Sequence, residues 1–371
     1  MRGVRLGLVV ENDVPFVFEE ARALRALGVD VRVASVFRPE PPARWRGRFD
    51  GPVAYPDRGA AAWVRAALPG GVRSPARAAA LARRARAEGA PLRLVALAAA
   101  LAERARREGW THLHASFAGF PAFVAAGAAG LADLPWSFTG HAYDVQEPRP
   151  WVPRLLRETR FARAISSETA RRLAALAPEV AGCVRVGHLG VDVARFAPPA
   201  RPPAGPPRIV AVANPGPTKG LDVLVDAVAE LARTHPDVEL VMWGEGPWRA
   251  ALEARIAARG LGGRARLAGA AGRDAVAAAL RGATLFALPC VTLARPSRDR
   301  SDGSVPSGRP DGSVRAGRHD GLPVAILEAM ATGLPVVSTD VSGAREAIGP
   351  GSVVAPDAPS PGDASSPDAD S

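Results

Sequence analysis

Lys219 lies in a loop rich in glycine and proline, a composition that suits phosphate binding. The chain has 47 lysine and arginine residues, and Lys219 is the only lysine among them. The loop, NPGPTKG over residues 214–220, lies between an apolar segment and a helical one, where phosphates are commonly bound. A compact ammonium group here indicates an anion site, with a stray surface lysine as the alternative.

Two carboxylates spaced eight residues apart form a second candidate site. Asp320 lies in a glycine loop, HDGLP over residues 319–323, and Glu328 lies inside the helix that should follow. Backbone N–H groups at the start of that helix would point at an anion, assisted by the helix dipole. Asp320 could meet hydroxyl groups nearby, and Glu328 could accept hydrogen bonds from a vicinal diol. This arrangement suits a nucleoside diphosphate sugar.

The elements that must position these residues alternate between strands and helices, over residues 1–196 and again over 208–355. Such alternation is typical of parallel sheets covered by helices on both faces. Residues 197–207 contain six prolines and are expected to form a stiff linker. The sequence therefore predicts an α/β protein with two Rossmann-like domains facing each other across a cleft, where ligands of open parallel sheets bind.

Several segments and residues bear on the setting of these domains. Residues 295–318 contain two DGSV near-repeats and are expected to be a flexible insertion, and residues 356–371 a disordered acidic tail. The two cysteines, Cys183 and Cys290, show no metal or redox spacing, which favours a reducing compartment. Without an apolar stretch of about 20 residues or a signal peptide, the sequence predicts a cytoplasmic location.

The basic excess belongs to the first half of the chain. Residues 1–200 hold 29 arginines against 18 acidic residues, whereas residues 201–371 hold 18 basic against 19 acidic residues. The excess is densest over residues 58–107, between apolar runs, which suits an anionic membrane surface, with a solvated basic face as the alternative. No helix-turn-helix, zinc-finger or RNA-binding pattern occurs, so nucleic acid is not an expected partner.

The segment 319–331 resembles the E-x7-E motif of glycosyltransferase family 4, a family of retaining enzymes with the two-domain GT-B fold. Further blocks resemble the family in the right order over about residues 5–355: SFTGHAYD (137–144), GHLGVDVARF (187–196), the loop at 210–222, LVMWGEGP (240–247) and RLAG (266–269). Residues 16–27 and 112–115 are similar to members that build exopolysaccharides. One block alone is weak, and the ordered series is strong.

The resemblance implies that a sugar moves, with retention, from a UDP- or GDP-sugar to a polysaccharide or lipid-linked acceptor at the inner membrane face. It implies that Lys219 binds the diphosphate and stabilises the leaving group. Glu328 would hold the nucleotide ribose. Asp320 would orient sugar hydroxyls, with backbone N–H groups of Gly321 and Leu322 beside it.

Three further residues complete the implied site. His141, from the first domain, would contact the donor sugar near the reacting carbon, so His141, Asp320 and Lys219 form the implied catalytic set. Gly269 would lie beside the nucleobase. Asn214 stands where the family usually places an arginine, and it can donate hydrogen bonds to the donor but brings no charge. The only Asp-x-Asp spacing lies in the tail, at 368–370, so neither a metal nor another cofactor is expected.

The departures from the family leave alternatives open. They are Asn214, the insertion just before Asp320, and the tail that stands where the family has its final helices. A catalytically impaired homologue that binds only a nucleotide or a partner fits these departures. A sugar-nucleotide epimerase or a phosphorylase of the same fold is a further alternative.

Overall fold

The chain forms two compact units, Met1–Gly190 and Val191–Ser371. The computed structural model describes residues 3–11, 15–37, 53–54, 75–292, 320–349 and 353–354. The expected insertion at 295–318 and the expected tail at 356–371 lie outside the described residues. The first part of the basic stretch, residues 58–74, lies outside them as well.

The first unit is built on a parallel sheet of seven strands in the order β3-β2-β1-β4-β5-β6-β7. The strands are β1 (Arg5–Val10), β2 (Asp30–Ser35), β3 (Val53–Ala54), β4 (His112–Ser116), β5 (Trp136–Gly140), β6 (Phe161–Ala164) and β7 (Val184–Val186). Strand β5 is buried along its whole length, as expected of an inner strand with both faces covered.

The described α-helices of this unit are α1 (Pro15–Ala26), α2 (Pro75–Ala87), α3 (Arg93–Glu108), α4 (Phe120–Ala132), α5 (Tyr143–Gln146), α6 (Val152–Glu158) and α7 (Ser167–Leu176). Two of them, α3 and α4, bury many small apolar residues. Helix α4 is apolar nearly all round and correspondingly buried. A Cβ at Gly127 would lie 2.9 Å from the Cβ of Ala98, so glycine lets α3 and α4 approach closely.

The second unit repeats the architecture with a six-stranded parallel sheet in the order β10-β9-β8-β11-β12-β13. Its strands are β8 (Arg208–Val212), β9 (Glu239–Trp243), β10 (Ala265–Gly269), β11 (Leu285–Leu288), β12 (Val336–Thr339) and β13 (Val353–Val354). Its helices are α8 (Leu221–Leu231), α9 (Arg249–Ala258), α10 (Arg273–Arg281), α11 (Val324–Ala331) and α12 (Ser342–Ile348). Two parallel α/β units confirm the predicted pair of Rossmann-like domains.

The strand order reverses once in each sheet. Strand β1 lies between β2 and β4, and strand β8 lies between β9 and β11. Connections from the two central strands of such a sheet leave in opposite directions, so a crevice opens outside their carboxyl ends. In the second unit this crevice is bordered by the segments that follow β8 and β11, and these segments contain Lys219 and Asp320.

The division between the units falls after Gly190, earlier than the domain boundary that the sequence analysis places at residue 196. Phe196 is fully buried in the core of the second unit. Pro198 lies 3.5 Å from the position that a Cβ of Gly333 would take. The proline-rich segment 197–207 therefore begins packed on the second unit, because Phe196 anchors the chain there.

Two glycines at the carboxyl edge of the second sheet stand where backbones meet. Gly220 begins α8 with φ of +60°, and a Cβ there would lie 1.9 Å from the carbonyl oxygen of Pro289. Gly244, after β9, has φ of +146°, and its Cβ would lie 1.9 Å from the carbonyl oxygen of Ala213. The loop at 213–220 is therefore fixed between the segments that follow β9 and β11, and no side chain fits at either contact.

We expect Gly220→Ala to destabilise the protein far more than Gly260→Ala. Gly260 has φ of +68° with nothing within 4 Å of its Cβ position, so alanine there meets the left-handed backbone alone, about 1–2 kcal/mol. At Gly220 the overlap with Pro289 adds to that strain, for a total of roughly 3–5 kcal/mol. Urea denaturation of both variants measures the difference, and equal losses would contradict the backbone contact.

Candidate functional site

Lys219 and Asp320 meet at the carboxyl edge of the second sheet although 101 positions separate them in sequence. The Lys219 ammonium donates a hydrogen bond to Oδ2 of Asp320 and forms an ion pair with it. The Cys290 thiol donates to the same oxygen, with Sγ and Oδ2 3.8 Å apart. The side chains of Lys219 and Asp320 are 24% and 21% exposed, so the pair is accessible but largely desolvated.

The pair determines the charge of the loop. Burial is the largest influence on the pKa of Lys219 and lowers it. The negative charge of Asp320, the neighbouring Cys290 and the hydrogen bond to Asp320 together outweigh burial, so the pKa is raised and the ammonium is charged at neutral pH. Burial raises the pKa of the Cys290 thiol, and the Asp320 carboxylate raises it further. The site therefore presents one cation and one carboxylate beside a neutral thiol.

The loop that carries Asp320 is held by backbone contact with α12. The carbonyl oxygen of Gly321 accepts a hydrogen bond of 2.7 Å from the N–H of Gly343. A Cβ at Gly343 would lie 2.5 Å from that oxygen, so the contact requires glycine. Gly321 and Leu322 are buried, and α11 begins two residues later at Val324.

Glu328, in the second half of α11, forms a largely buried ion pair with Arg273 at the start of α10. Nη2 of Arg273 lies 3.0 Å from Oε1 of Glu328, and the two side chains are 13% and 10% exposed. The Arg273 guanidinium also lies over the ring of Phe196, 5.3 Å from its centroid. A planar guanidinium in this position restricts the orientation of the Glu328 carboxylate.

The remaining predicted residues of the second unit lie at two strand ends. Gly269 ends β10 with φ of +82°, and its Cβ position lies 3.7 Å from Oε2 of Glu245 and 3.8 Å from Nη1 of Arg249. Its carbonyl oxygen accepts from the N–H of Gly244 at 2.9 Å. Asn214 follows β8 and is exposed. Both residues thus border the same sheet edge as Lys219.

His141 belongs to the first unit, where it follows β5 and is only 3% exposed. Its Nε2 lies 3.1 Å from Oγ of Ser116, its carbonyl oxygen accepts from Oγ1 of Thr169 at 3.1 Å, and its ring lies 4.2 Å from that of Phe117. Phe117 has φ of +84°, an uncommon backbone conformation for an aromatic residue. Strained residues of this kind persist only where the surroundings hold them.

A row of polar side chains connects β4 and β5 below His141. Ser137 Oγ lies 2.8 Å from Nε2 of His112 and 2.7 Å from Nδ1 of His114, and Nε2 of His114 lies 2.9 Å from Oγ1 of Thr139. These contacts satisfy the imidazole nitrogens inside the sheet. They indicate that His112 and His114 have a packing role.

Burial changes the ionisation of the histidines and of Asp144. Burial is the main cause that lowers the pKa of both His114 and His141 to about 3, and the charge of Arg163 contributes to both shifts. Both rings are therefore neutral at physiological pH. Burial also raises the pKa of Asp144 to about 6, although hydrogen bonds from backbone N–H groups oppose this rise.

Sequence reasoning did not single out Arg273, Asp144, Ser116 or Cys290. Asp144 could have been found, because it lies three residues after His141 within the motif at 137–144. Arg273, Ser116 and Cys290 have no local pattern around them. Each lies near the predicted residues of its own unit only because parallel strands bring their ends to one edge of that unit's sheet.

The described residues contain no group of three or more His, Cys, Asp or Glu side chains placed to hold a metal ion. The expected absence of a metal stays a prediction. In the same part of the chain no helix is long and apolar enough to cross a membrane. A cavity of about 400 Å³ lies elsewhere, between α2, α4 and α6 of the first unit, and contains none of the predicted site residues.

Comparison with known sequences finds a family model that matches most of the second unit. Residues 194–363 match the family model described as Glycosyl transferases group 1. Over 172 residues the chain is 35% identical to the putative colanic acid biosynthesis glycosyltransferase WcaL of Escherichia coli (strain K12), covering 45% of this chain and 37% of the relative. Over 209 residues it is 30% identical to the amylovoran biosynthesis glycosyltransferase AmsK of Erwinia amylovora, covering 55% and 45%. The aligned part thus spans less than half the length of these curated relatives.

Solved structures share the fold of both units. Anabaena Alr3699/HepE in complex with UDP has a TM-score of 0.67 at 16% identity, covering 95% of this chain and 86% of that one. The lipopolysaccharide outer core galactosyltransferase WaaB, in its apo form, has a TM-score of 0.59 at 15% identity, covering 96% and 87%. Together with the family match, these likenesses confirm the predicted relationship with glycosyltransferases of the GT-B fold.

We expect the buried neutral histidines to make stability fall on acidification. The pKa of His114 is about 3 in the folded protein against an ordinary value of 6.5, so the unfolded chain binds the proton more tightly between these values. Stability is then fully present above about pH 6.5 and decreases as the pH falls, by at most about 1.4 kcal/mol per pH unit. His114→Asn should flatten this loss when urea denaturation is compared at pH 5 and pH 7.

His235→Asn is the matched control, because that ring is exposed in the folded protein. It should keep the slope of the unsubstituted protein. If His114→Asn kept the same slope as well, the assignment of a buried neutral ring would be wrong.

Proposed function

We propose that this chain, which carries a glycosyl transferases group 1 domain over residues 194–363, transfers a sugar from a nucleoside diphosphate sugar to a glycan or lipid-linked acceptor. Transfer would retain the anomeric configuration. The observation that carries the proposal is the Lys219–Asp320 pair at the strand-order reversal of the second sheet. The UDP bound to the Anabaena protein of the same fold supports a nucleotide donor.

The pair indicates how the donor would be received. Diphosphate oxygens would replace the Asp320 carboxylate on the Lys219 ammonium, which is charged because of its environment. Asp320, released from the ion pair, could then accept hydrogen bonds from the sugar hydroxyls. As the bond to the sugar breaks, negative charge grows on the leaving diphosphate, and a preorganised ammonium stabilises that charge.

The residues around the pair have complementary roles in the proposal. Exposed Asn214 offers an amide donor to the phosphates from the same loop, and the backbone of Gly321 and Leu322 borders the sugar. Arg273 holds the carboxylate of Glu328 in position for the two ribose hydroxyls. Gly269 leaves room beside Glu245 for the flat nucleobase.

His141 of the first unit is proposed to contact the donor sugar near its reacting carbon. Because its pKa is about 3, the ring is neutral and acts as a hydrogen-bonding group rather than a cation. Ser116 contacts Nε2 of this histidine and Thr169 donates to its carbonyl oxygen, which limits the freedom of the ring. No general base is assigned.

We also propose that the basic first unit contacts an anionic membrane surface, where the enzyme meets its acceptor. Helix α2 exposes most of its residues, including arginines. Some of this charge is offset within the protein, since Arg77 lies 2.5 Å from Asp133 and Arg84 lies 2.9 Å from Glu158. The surface thus combines exposed guanidinium groups with ion pairs that anionic lipid headgroups could replace.

Lys219→Ala tests the proposal directly. Losing a charge-assisted phosphate contact should weaken UDP or GDP binding by about 1.5–3 kcal/mol, which is roughly 10- to 150-fold. Turnover should fall further, by about 10² to 10³, since the leaving group loses its cation. Calorimetric titration with each nucleotide and a transfer assay with UDP- and GDP-sugars measure the two effects, and the anomeric proton resonance of the product reports retention.

The control for this substitution is Arg233→Ala, which removes an exposed cation of the same unit, paired only on the surface with Glu230. Binding unchanged in Lys219→Ala would refute the donor site. Nucleotide binding without transfer or hydrolysis of any nucleotide sugar in the unsubstituted chain would instead identify the impaired homologue.

Glu328→Gln tests the ribose assignment. The unsubstituted chain should prefer UDP to 2′-deoxy-UDP by about 10-fold, as expected when a charged acceptor loses a hydroxyl partner. Glutamine keeps an acceptor for Arg273 but removes the charge, so the preference should shrink toward unity. Because the readout is a ratio of two dissociation constants, a general loss of stability cancels. An unchanged ratio would place the ribose elsewhere.

A further inference from the structure

The carboxylate of Asp144 ties together the ends of two neighbouring strands in the first unit. Its Oδ2 accepts a hydrogen bond of 2.7 Å from the N–H of Ala118, which follows β4. Its Oδ1 accepts one of 3.0 Å from the N–H of His141, which follows β5. Asp144 is 5% exposed, so these bonds form away from bulk water. One side chain thus sets the spacing of two loops at the carboxyl edge of the sheet.

The two loops contain the groups that surround the His141 ring. Phe117, next to Ala118, packs its ring against His141 with a strained backbone, and Ser116 contacts Nε2 of the imidazole. The ring of Phe16, which lies on α1, is 5.1 Å from the imidazole. If the Ala118 N–H lost its acceptor, the strain at Phe117 could relax and move both contacts of the imidazole.

The charge of Asp144 is unfavourable for the fold. Burial, assisted by the negative charge of Glu11 just after β1, raises its pKa to about 6. Because the folded pKa lies above the ordinary value of 3.8, the folded state holds the proton more tightly, and ionisation lowers stability as the pH rises from about 4 to 6.

Charged and titratable groups near Asp144 come from the neighbouring strands and helices. Glu11 carries the nearby negative charge, and Oε2 of Glu11 accepts a hydrogen bond of 2.8 Å from the Tyr143 hydroxyl. His141 is neutral, with Arg163 and His114 acting on it. From α7, the uncharged Thr169 contacts the His141 carbonyl.

We propose that Asp144 is a positioning residue for sugar transfer: by accepting the N–H groups of Ala118 and His141, its carboxylate holds the His141 imidazole where it contacts the donor sugar. The inference rests on the proposed function, in which His141 makes that contact. Asp144 itself touches the loops and not the sugar, so its effect belongs to the rate of transfer and not to nucleotide binding by the second unit.

Asp144→Asn tests the inference, with Asp30→Asn as the control. Asp30 is a carboxylate of the same unit whose side chain is 42% exposed, at the start of β2 and paired with Arg32. Displacing His141 should lower kcat of Asp144→Asn by about 10²-fold at pH 7.5. The dissociation constant for UDP or GDP should stay within about twofold. Asp30→Asn should match the unsubstituted protein in kcat.

The pH profile and hydrogen exchange give two further readouts. The unsubstituted protein should lose kcat as the pH falls through about 6, where Asp144 takes up a proton, and Asp144→Asn should lack this decrease. At equal pH, the amides of Ala118 and His141 should exchange faster in Asp144→Asn, which requires no substrate.

The outcomes separate this inference from the proposed function. Transfer by the unsubstituted protein with unchanged kcat in Asp144→Asn would overturn the inference alone. So would a kcat loss matched by an equal loss of nucleotide affinity, or an acidic decrease retained in the variant. Absence of transfer from every nucleotide sugar in the unsubstituted protein would overturn the proposed function, and the role of Asp144 in it.

Discussion

Close backbone contact at the carboxyl edge of the second sheet is the constraint on which the candidate site depends. The carbonyl oxygens of Pro289 and Ala213 occupy the space that side chains would need at Gly220 and Gly244. Such contact fixes the loop at 213–220 without using any of its polar side chains. Lys219 is therefore left to pair with Asp320.

The carboxylates of the two units have different hydrogen-bonding partners. In the second unit Asp320 and Glu328 lie against Lys219 and Arg273, so each negative charge meets a cation. In the first unit Asp144 is held by backbone N–H groups, which do not cancel its charge, and its pKa is raised to about 6. Cation pairing suits a site that binds an anionic donor, since phosphates can replace the carboxylates, whereas backbone bonding suits a fixed support.

Polar side chains inside the first sheet also contact one another within hydrogen-bond distance. His112 and His114 alternate along β4, so their rings lie on one face and meet Ser137 and Thr139 of β5. Buried polar groups without partners are costly, and this row satisfies the imidazole nitrogens. It continues toward the carboxyl edge, where Ser116 meets His141.

Much of the architecture follows from local sequence. Apolar runs over residues 208–213 and 238–243 predict strands β8 and β9, and helical spacing over 221–233 predicts helix α8. Each prediction agrees with the structure to within about two residues, because each element is selected by side chains close together in the chain. The loop composition and motif spacing likewise single out Lys219, Asp320, Glu328 and His141. The family match over residues 194–363 confirms the relationship that those motifs indicate.

Tertiary structure alone decided which of these residues are partners. The contact between Lys219 and Asp320 spans 101 positions, and that between Arg273 and Glu328 spans 55. Neither contact has a local pattern, since each depends on the order in which parallel strands assemble. The boundary near Gly190 and the burial of Asp144 also arise from packing. The sequence by itself thus determined the elements and the chemical groups, whereas the fold determined their pairing, because parallel strands bring distant segments to one edge.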